Sequence, residues 1–489
     1  MHTTFPLSFK HSYITLAISL SLVACVSVPP ESTTLRQTDG NSVQLPDDLR
    51  QAAEGAWPRD DWWQRYGDEQ LNRLIEQALH DSPSLEAAAA RVNAAQAALV
   101  ITRASDEVGV GVDASANRQR YSANGLLPAP IGGGTFSDFN VQLGIRKDLD
   151  VWGKNRSLIT AAAGEKAARQ AEQVQVRQAL ALSVAQSYFE YQADGAVMAD
   201  LQEQLAIQQA LVADKQKRQA RGLVSSDEAL VEQTKLAELK RRLAEVQAHA
   251  LAEREALRAL VGGNAPWINQ LAIRPLPTPH EGVPAQLGFE LLARRPDLQA
   301  THLRVEAAMS RVEAAQAAFY PEINLSASLG LDSLSLSDLF QASSRTFFIG
   351  PTLSLPIFKR DSLKGQLASV RSGRDELIAN YNQQVLDATR EVAQTVAAIK
   401  GLDKQLEQQQ AMSTNTAALQ RNTKAKLDRG LSDRASLLRA DVAALQDKQA
   451  ELALIRQRLQ ADLRLTRALG GGYHAVSTAT AQAKNTLMN

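Results

Sequence analysis

The residue types that usually carry out chemistry stand in no catalytic pattern in this chain of 489 residues. The seven histidines are scattered, and the sequence contains no His-Glu-x-x-His metal motif, no P-loop and no Gly-x-Ser-x-Gly motif. The glycines of Gly109-x-Gly111 and Gly132-Gly133-Gly134 fall in a predicted strand and a predicted loop, whereas a phosphate cradle opens a helix. The sequence therefore predicts no enzyme activity, no cofactor and no metal site.

Cys25 is the only cysteine, which excludes an internal disulfide and a cysteine-cluster metal site. It follows Leu22-Val23-Ala24, at the end of an apolar stretch that begins after Lys10 and is too short to span a bilayer. This order is typical of a signal peptide that ends in a lipobox, so we expect cleavage of residues 1–24 and acylation of Cys25 as a lipid anchor. An ordinary signal peptide with an incidental cysteine is the alternative. No other segment is long and apolar enough to predict a transmembrane helix.

Net charge and composition bear on the kind of partner and on the secondary structure. The 53 basic and 53 acidic residues give a formal net charge of zero, which argues against a nucleic-acid partner. Aromatic residues make up only 5% of the chain, while Ala, Gln, Leu, Arg and Glu are abundant. These straight-chain residues lose little conformational freedom in a helix, so the composition favours long helices.

Helical and strand periodicities alternate in a plan that occurs twice. After a proline-containing arm at 25–68, residues 69–263 predict a first repeat of a helix, a β-hairpin at 106–151, a long helix and a return helix. A proline-rich connector at 264–286 precedes residues 287–472, which predict a second repeat with a β-hairpin at 322–358. Residues 473–489 form a tail. Direct matches between residues 91–98 and 311–318 indicate an internal duplication.

Two short glycine motifs end the long helices and predict turns into the return helices. They are Arg221-Gly222-Leu223 and Arg429-Gly430-Leu431. In the last return helix, leucines recur every seven residues, which is typical of helices supercoiled against neighbours. The alternative is the core-facing stripe of a globular bundle. The leucines are Leu431, Leu438, Leu445, Leu452 and Leu459.

The predicted strands have one apolar face and one small or polar face, as membrane-spanning strands between lipid and water do. Four strands per chain cannot close a barrel, and an open edge in lipid would leave backbone groups unsatisfied. If the strands span a membrane, several chains must share one barrel, and three copies would supply about twelve strands. A soluble sandwich with one solvated face is the alternative.

Several motifs together resemble the outer membrane efflux protein family, the TolC-like channels, and especially the lipoprotein branch that serves multidrug pumps. The resemblance covers nearly the whole mature chain, with its motifs in the family's order. It is carried by Trp62-Trp63-Gln64-Arg65-Tyr66-Gly67-Asp68 leading into Leu71-Asn72-Arg73-Leu74-Ile75, Leu149-Asp150-Val151-Trp152-Gly153-Lys154-Asn155-Arg156, Arg294-Arg295-Pro296-Asp297-Leu298, Phe319-Tyr320-Pro321-Glu322-Ile323, and Leu355-Pro356-Ile357-Phe358.

The resemblance implies an α+β membrane protein: a homotrimer with a twelve-stranded outer-membrane β-barrel, continuous with a long periplasmic α-helical coiled-coil barrel. It implies a belt around the tunnel built from the arm, the 264–286 connector and the tail. The function would be that of a passive exit duct for drugs or other small toxic compounds. An inner-membrane pump of the major-facilitator or resistance-nodulation-division type would deliver them through a periplasmic membrane-fusion adaptor. The segment from 124 to 134 resembles members that serve major-facilitator pumps.

In this family the two return turns lie at the periplasmic tip, where they contact the adaptor and constrict the pore. The resemblance therefore assigns adaptor contact to the Arg221-Gly222-Leu223 and Arg429-Gly430-Leu431 turns. Many members carry an acidic Leu-Asp-Ala after the second turn, but Leu438-Arg439-Ala440 stands here. Candidates for the constriction are Asp428, Asp433 and Arg439. The alternatives are the outer-membrane component of a type I secretion system, a periplasmic adaptor, and a structural coiled-coil lipoprotein.

Overall fold

The computed structural model describes residues 28–31, 33–38, 53–263, 265–278, 283–284, 291, 293–355 and 359–474. The predicted lipidation site Cys25 lies outside the described residues. So do residues 264, 279–282 and 285–286 of the connector, the end of the predicted hairpin at 356–358, and the tail from residue 475 onward.

Seven helices and six strands make up most of the described chain, together with a few short 3₁₀ turns. The helices are α1 (Glu69–Asp81), α2 (Pro83–Ala104), α3 (Lys154–Ala220), α4 (Ser226–Leu260), α5 (Pro296–Ala317), α6 (Arg360–Asp428) and α7 (Arg434–Ala468). The strands are β1 (Ala53–Gly55), β2 (Gly109–Arg120), β3 (Thr135–Asp148), β4 (Val283–Pro284), β5 (Glu322–Ser333) and β6 (Arg345–Ser354). Within the described ranges, no helix combines the length and apolar character needed to cross a membrane.

The chain divides into two compact units, of which the first combines residues 1–37, 92–168 and 301–380. Its centre is a four-stranded antiparallel sheet in the order β2-β3-β5-β6. The middle pair, β3 and β5, joins the two hairpins through ten residue pairs from Phe139–Ser333 to Asp148–Asn324. A Cβ atom at Gly330 would lie 2.6 Å from the Val141 carbonyl oxygen, so the pairing of β3 with β5 leaves no room for a larger residue at position 330.

The second unit combines residues 38–91, 169–300 and 381–489. In its main core, aromatic residues of the 62–66 turn pack against α3 and α7. Tyr66 and Phe189 pack edge to face, with ring centroids 5.0 Å apart. Aromatic side chains carry large apolar area, so these few residues supply much of the apolar contact where several elements meet. The largest buried members are Trp62, Trp63, Leu71, Leu74, Ile75, Tyr188, Phe189, Leu257, Ile268, Leu459 and Leu463.

Local capping defines where several helices begin. The Asp68 carboxylate accepts hydrogen bonds from the backbone N–H groups of Gln70 and Leu71 at the start of α1. Such N-cap bonds satisfy donors that have no partner within the helix. Along α7 the seven-residue leucine pattern is buried at Leu445 and Leu459 but exposed at Leu431, because Leu431 lies in the turn that precedes the helix.

Candidate functional sites: two helical turns and a two-faced sheet

The two predicted turns have the same backbone geometry. Gly222 follows α3 with φ +68° and Gly430 follows α6 with φ +69°, both in the left-handed region that favours glycine. The next residue closes each turn: the Leu223 N–H donates to the Arg218 carbonyl at 2.9 Å. The equivalent bond from the Leu431 N–H is 2.8 Å long and ends on the Lys426 carbonyl. Together with a bond from each glycine N–H, this is the Schellman arrangement, which satisfies the last helical carbonyls.

The structure brings the two turns close together in the second unit. The guanidinium Nη2 of Arg218, in the last turn of α3, lies 4.0 Å from the Asp433 carboxylate, just before α7. The side chains of Leu223 and Leu431 are 69% and 73% exposed. Each turn therefore exposes an apolar side chain beside ionic groups. Burial of these leucines against a partner would be favourable, because removing apolar area from water stabilises a complex.

Asp433, a predicted constriction residue, is also the N-cap of α7. Its carboxylate accepts a 2.8 Å bond from the Ser436 N–H and a 2.5 Å bond from the Ser436 hydroxyl. These hydrogen bonds, with the nearby charges of Arg218 and Arg439, lower the pKa of Asp433. The carboxylate is thus held ionised. An aspartate just before a helical pattern is an N-cap signal that the sequence contains and that the sequence analysis did not use.

The other two predicted constriction residues, Asp428 and Arg439, are exposed. Arg439 acts electrostatically on Glu232 of α4. Burial raises the pKa of Glu232, but hydrogen bonds from Gln208 and Lys235, together with the charges of Lys235 and Arg439, outweigh it and lower that pKa overall. Arg439 therefore lies close enough to α4 to stabilise a carboxylate there.

The four-stranded sheet has one apolar face. The register places Val112, Leu143, Leu329 and Phe347 in one row across the four strands. Their exposed fractions are 69%, 41%, 61% and 84%, so none of the described residues covers the row. The next row along the strands contains Val110, Ile145, Ala327 and Ile349.

The opposite face is built mainly from glycine and polar residues. The Gln142 amide donates to the Ser328 hydroxyl at 2.6 Å, and the Asn140 amide donates to Asp332 at 3.3 Å. Phe348 is an exception, since it lies on this face with 58% of its surface exposed. The contrast between the faces is that expected of strands with lipid on one side and water on the other.

Both edges of this sheet are unpaired among the described residues. Strands β2 and β6 each have one neighbour, and every residue of β2 is exposed. An edge strand presents a row of free backbone N–H and C=O groups that can pair with another chain.

Two of the sequence motifs meet where the sheet joins the helices of the first unit. The Asp150 carboxylate caps α3 by accepting bonds from the N–H groups of Asn155 and Arg156, both at 2.9 Å. The Trp152 ring stacks on Tyr320 with centroids 4.7 Å apart, and its indole N–H donates to the Pro321 carbonyl at 2.8 Å. These motif residues fix the passage from strand to helix.

Two further motifs tie helices together in the second unit. Arg65 and the Tyr66 hydroxyl both donate to Asp462 of α7 at 2.7 Å. Arg295 bonds to Asp297 at 2.7 Å and to Glu391 of α6 at 3.0 Å. Sequence reasoning missed Asp462 and Glu391, because an acidic residue on a polar helix gives no signal of a distant arginine.

These motif residues form hydrogen-bonded and ion-paired ties between elements. Within the described parts of the chain, no three or more His, Cys, Asp or Glu side chains form a group that could hold a metal ion.

Comparison with known proteins adds an independent line of evidence. Multidrug resistance outer membrane protein MdtP of Escherichia coli K12 is 34% identical over 459 residues, which cover 92% of this chain and 94% of that protein. The crystal structure of outer membrane protein VceC from Vibrio cholerae matches with a TM-score of 0.77 and 32% identity, covering 86% of this chain and 100% of that one. The Campylobacter jejuni CmeC outer membrane channel has the same fold at 20% identity, with a TM-score of 0.79 over 94% of this chain and 96% of CmeC.

The sequence model of the outer membrane efflux protein family matches residues 74–263 and 287–471. Each matched segment contains one strand pair of the sheet and one of the two turns, and each ends at a glycine with positive φ, Gly263 or Gly471. Because the matched segments cover more than half of the chain and contain both candidate sites, this chain belongs to the outer membrane efflux protein family.

Proposed function

We propose that this chain is the outer-membrane channel of a tripartite efflux system and acts as a passive exit duct for drugs or other small toxic compounds. The observation that carries the proposal is the four-stranded sheet, with an uncovered apolar face, a polar face and two unpaired edges. Two relatives of this chain, the multidrug resistance outer membrane proteins MdtP and MdtQ, favour small toxic compounds over secreted proteins as cargo.

The physics of the sheet supports a barrel shared among several copies, for which we propose three. In lipid, each unpaired backbone group on β2 or β6 would cost several kcal/mol, so the edges must find partners. If β6 of one copy pairs with β2 of the next, three copies close a barrel of about twelve strands. The apolar rows through Val112 and Val110 then face lipid, and the polar row through Gln142 faces the lumen.

Partners outside the chain supply the energy and deliver the cargo. We assign the exposed Arg221-Gly222-Leu223 and Arg429-Gly430-Leu431 turns to contact with a periplasmic adaptor, which links the duct to an inner-membrane pump. The matched geometry of the turns supports their use as one repeated contact surface. The two family matches support an origin of the chain by internal duplication. Acylation of Cys25 would add a lipid anchor in the outer membrane.

The decisive experiment measures ion conductance of the purified protein in planar bilayers. We expect stepwise conductance from a trimer. A protein that stays monomeric and gives no conductance would refute the duct. Deletion of the gene should increase sensitivity to at least one toxic compound, and unchanged sensitivity to a broad panel would remove the efflux assignment while leaving the channel intact.

Conductance also tests the constriction. We propose that Asp428, Asp433 and Arg439 line the narrow part of the pore near the turns. Arg439→Asp should shift the reversal potential toward cation selectivity, whereas the matched control Arg439→Lys, which keeps the positive charge, should not. Equal reversal potentials for the two variants would place Arg439 away from the lumen.

A further inference from the structure

The beginning of the N-terminal arm is held by two arginines of α6. The Arg371 guanidinium donates to the Pro30 carbonyl at 2.8 Å and to the Pro29 carbonyl at 2.9 Å. One turn further along α6, Arg374 donates two bonds to the Glu31 carboxylate, at 2.9 and 3.1 Å. Three consecutive arm residues are therefore bound by a pair of side chains that we call the arginine clamp.

The clamp is largely shielded from solvent, since the side chains of Arg371 and Arg374 are only 12% and 10% exposed. Arg374 also pairs with Asp375 at 2.8 Å. Every hydrogen bond and ion pair of Arg371 within the described chain goes to the arm. A shielded guanidinium is costly unless it is paired, so Arg371 depends on the arm for its compensation.

The carboxylate in the clamp stays charged well into the acid range. Hydrogen bonding to Arg374 is the main cause that lowers the pKa of Glu31 to about 2, and the charge of Arg371 adds to it. The ion pair is thus present at every pH at which the protein would work.

An apolar contact extends the clamp toward the N-terminus. Val28 packs against the buried cluster of Val312, Phe319 and Leu367, which lies next to the start of β5 and near the start of α6. Only two residues separate Val28 from Cys25 in the sequence. At no more than about 3.6 Å per residue, covalent geometry limits their Cα separation to roughly 11 Å.

We propose that Arg371 and Arg374 are positioning residues for the lipid anchor: they fasten the arm so that the acyl group on Cys25 enters the bilayer beside the sheet–helix junction. The proposal rests on the proposed function, since it requires the sheet to lie in the outer membrane and Cys25 to be acylated. Several acyl chains give firm attachment to a membrane, but a long slack arm would leave the depth of the sheet unspecified. A clamped arm fixes that depth.

The first test measures hydrogen exchange of residues 28–38 in the purified full-length protein. Arg371→Gln/Arg374→Gln removes the four guanidinium hydrogen bonds to the arm, and we expect exchange in the arm to rise roughly tenfold or more. The matched control is Arg390→Gln on the same helix, whose exposed side chain pairs with Asp387 and should leave the arm unchanged. Unchanged exchange in the clamp variant would overturn the proposal.

The second test separates positioning from general stability. The same variants are made in the acylated chain and in a Cys25→Ala chain exported behind an ordinary signal peptide, and the trimer in the outer-membrane fraction is quantified. We expect the clamp variant to reduce that fraction severalfold in the acylated chain and to cause no further loss in the Cys25→Ala chain. An equal loss in both backgrounds would mean that the clamp is only a structural tie and would overturn the proposal.

Glu31→Gln guards against a clamp variant that fails to fold, because it keeps both arginines and changes one half-exposed arm residue. We expect the same dependence on Cys25 with a smaller loss, and independence from Cys25 would refute the proposal. Mass spectrometry of the mature N-terminus distinguishes failure of the anchor-positioning role from failure of the duct function. Absence of acyl groups would overturn the positioning role while leaving bilayer conductance, the test of the duct, unaffected.

Discussion

Replacing Gly222 by alanine tests whether the left-handed backbone at the first turn requires glycine. Its φ of +68° is left-handed, and a Cβ atom there would meet nothing within 4 Å. The cost of Gly222→Ala is therefore backbone strain without steric clash, about 1 kcal/mol. Gly401 is the matched control, since it lies inside α6 with equally open space around its Cβ position. Alanine in a helix interior should stabilise by roughly 0.5–1 kcal/mol.

The assay is hydrogen exchange of the Leu223 amide, which closes the turn by donating to the Arg218 carbonyl at 2.9 Å. A loss of 1 kcal/mol corresponds to about fivefold faster exchange of that amide. Gly401→Ala should leave it unchanged. The reasoning is refuted if Gly222→Ala has no effect on the Leu223 amide, or if Gly401→Ala accelerates its exchange equally.

Three further substitutions test other parts of the chain. Arg295→Met removes the ion pairs to Asp297 and Glu391, while Glu391 keeps its pair with Arg467, so the free energy of unfolding should fall by about 2 kcal/mol in a denaturant titration followed by circular dichroism; a change under about 1 kcal/mol would contradict a buried network. The hydrogen bond to Asp194 raises the pKa of His249, so stability from this pair should be complete below about pH 6.5, the ordinary histidine pKa, and decrease as the pH rises through the raised value; His249→Gln should abolish that decrease. Val112→Lys on the apolar face should destabilise the membrane-inserted protein by about 2 kcal/mol at a position deep in lipid, and so reduce the amount found in the outer-membrane fraction. Ser115→Lys on the polar face should leave that amount unchanged.

Features with a local sequence signal could be predicted closely. The return helix of the first repeat was predicted to follow the Arg221-Gly222-Leu223 turn, and it is observed from Ser226 to Leu260. Both turns were predicted from a glycine that follows a long helical pattern, and both glycines adopt positive φ, because only glycine takes that conformation at little cost. Alternation of apolar and polar residues likewise located the strands, since side chains of a strand alternate between faces.

Contacts between distant parts of the chain could not be predicted. The helices are rich in charged residues and glutamine, so a residue such as Asp462, which is buried and binds Arg65 and Tyr66, looks the same in sequence as one on a solvated face. The arginine clamp is hidden for the same reason, because Arg371 and Glu31 are 340 positions apart. Periodicity reports the environment along one element, whereas these pairings depend on how elements are brought together.

The double role of Asp433 sharpens the expectation for pore selectivity. Because its carboxylate caps α7 and its pKa is lowered, it holds a constant negative charge beside Arg218. A charge that is committed to a cap and an ion pair gives a weaker field in a lumen than a free carboxylate does. Asp428 is then the less committed acid near the turns, and Arg439 opposes it. On this reasoning Asp428→Asn should change the reversal potential more than Asp433→Asn, while Asp433→Ala, which removes the cap, should cost more helix stability than Asp428→Ala.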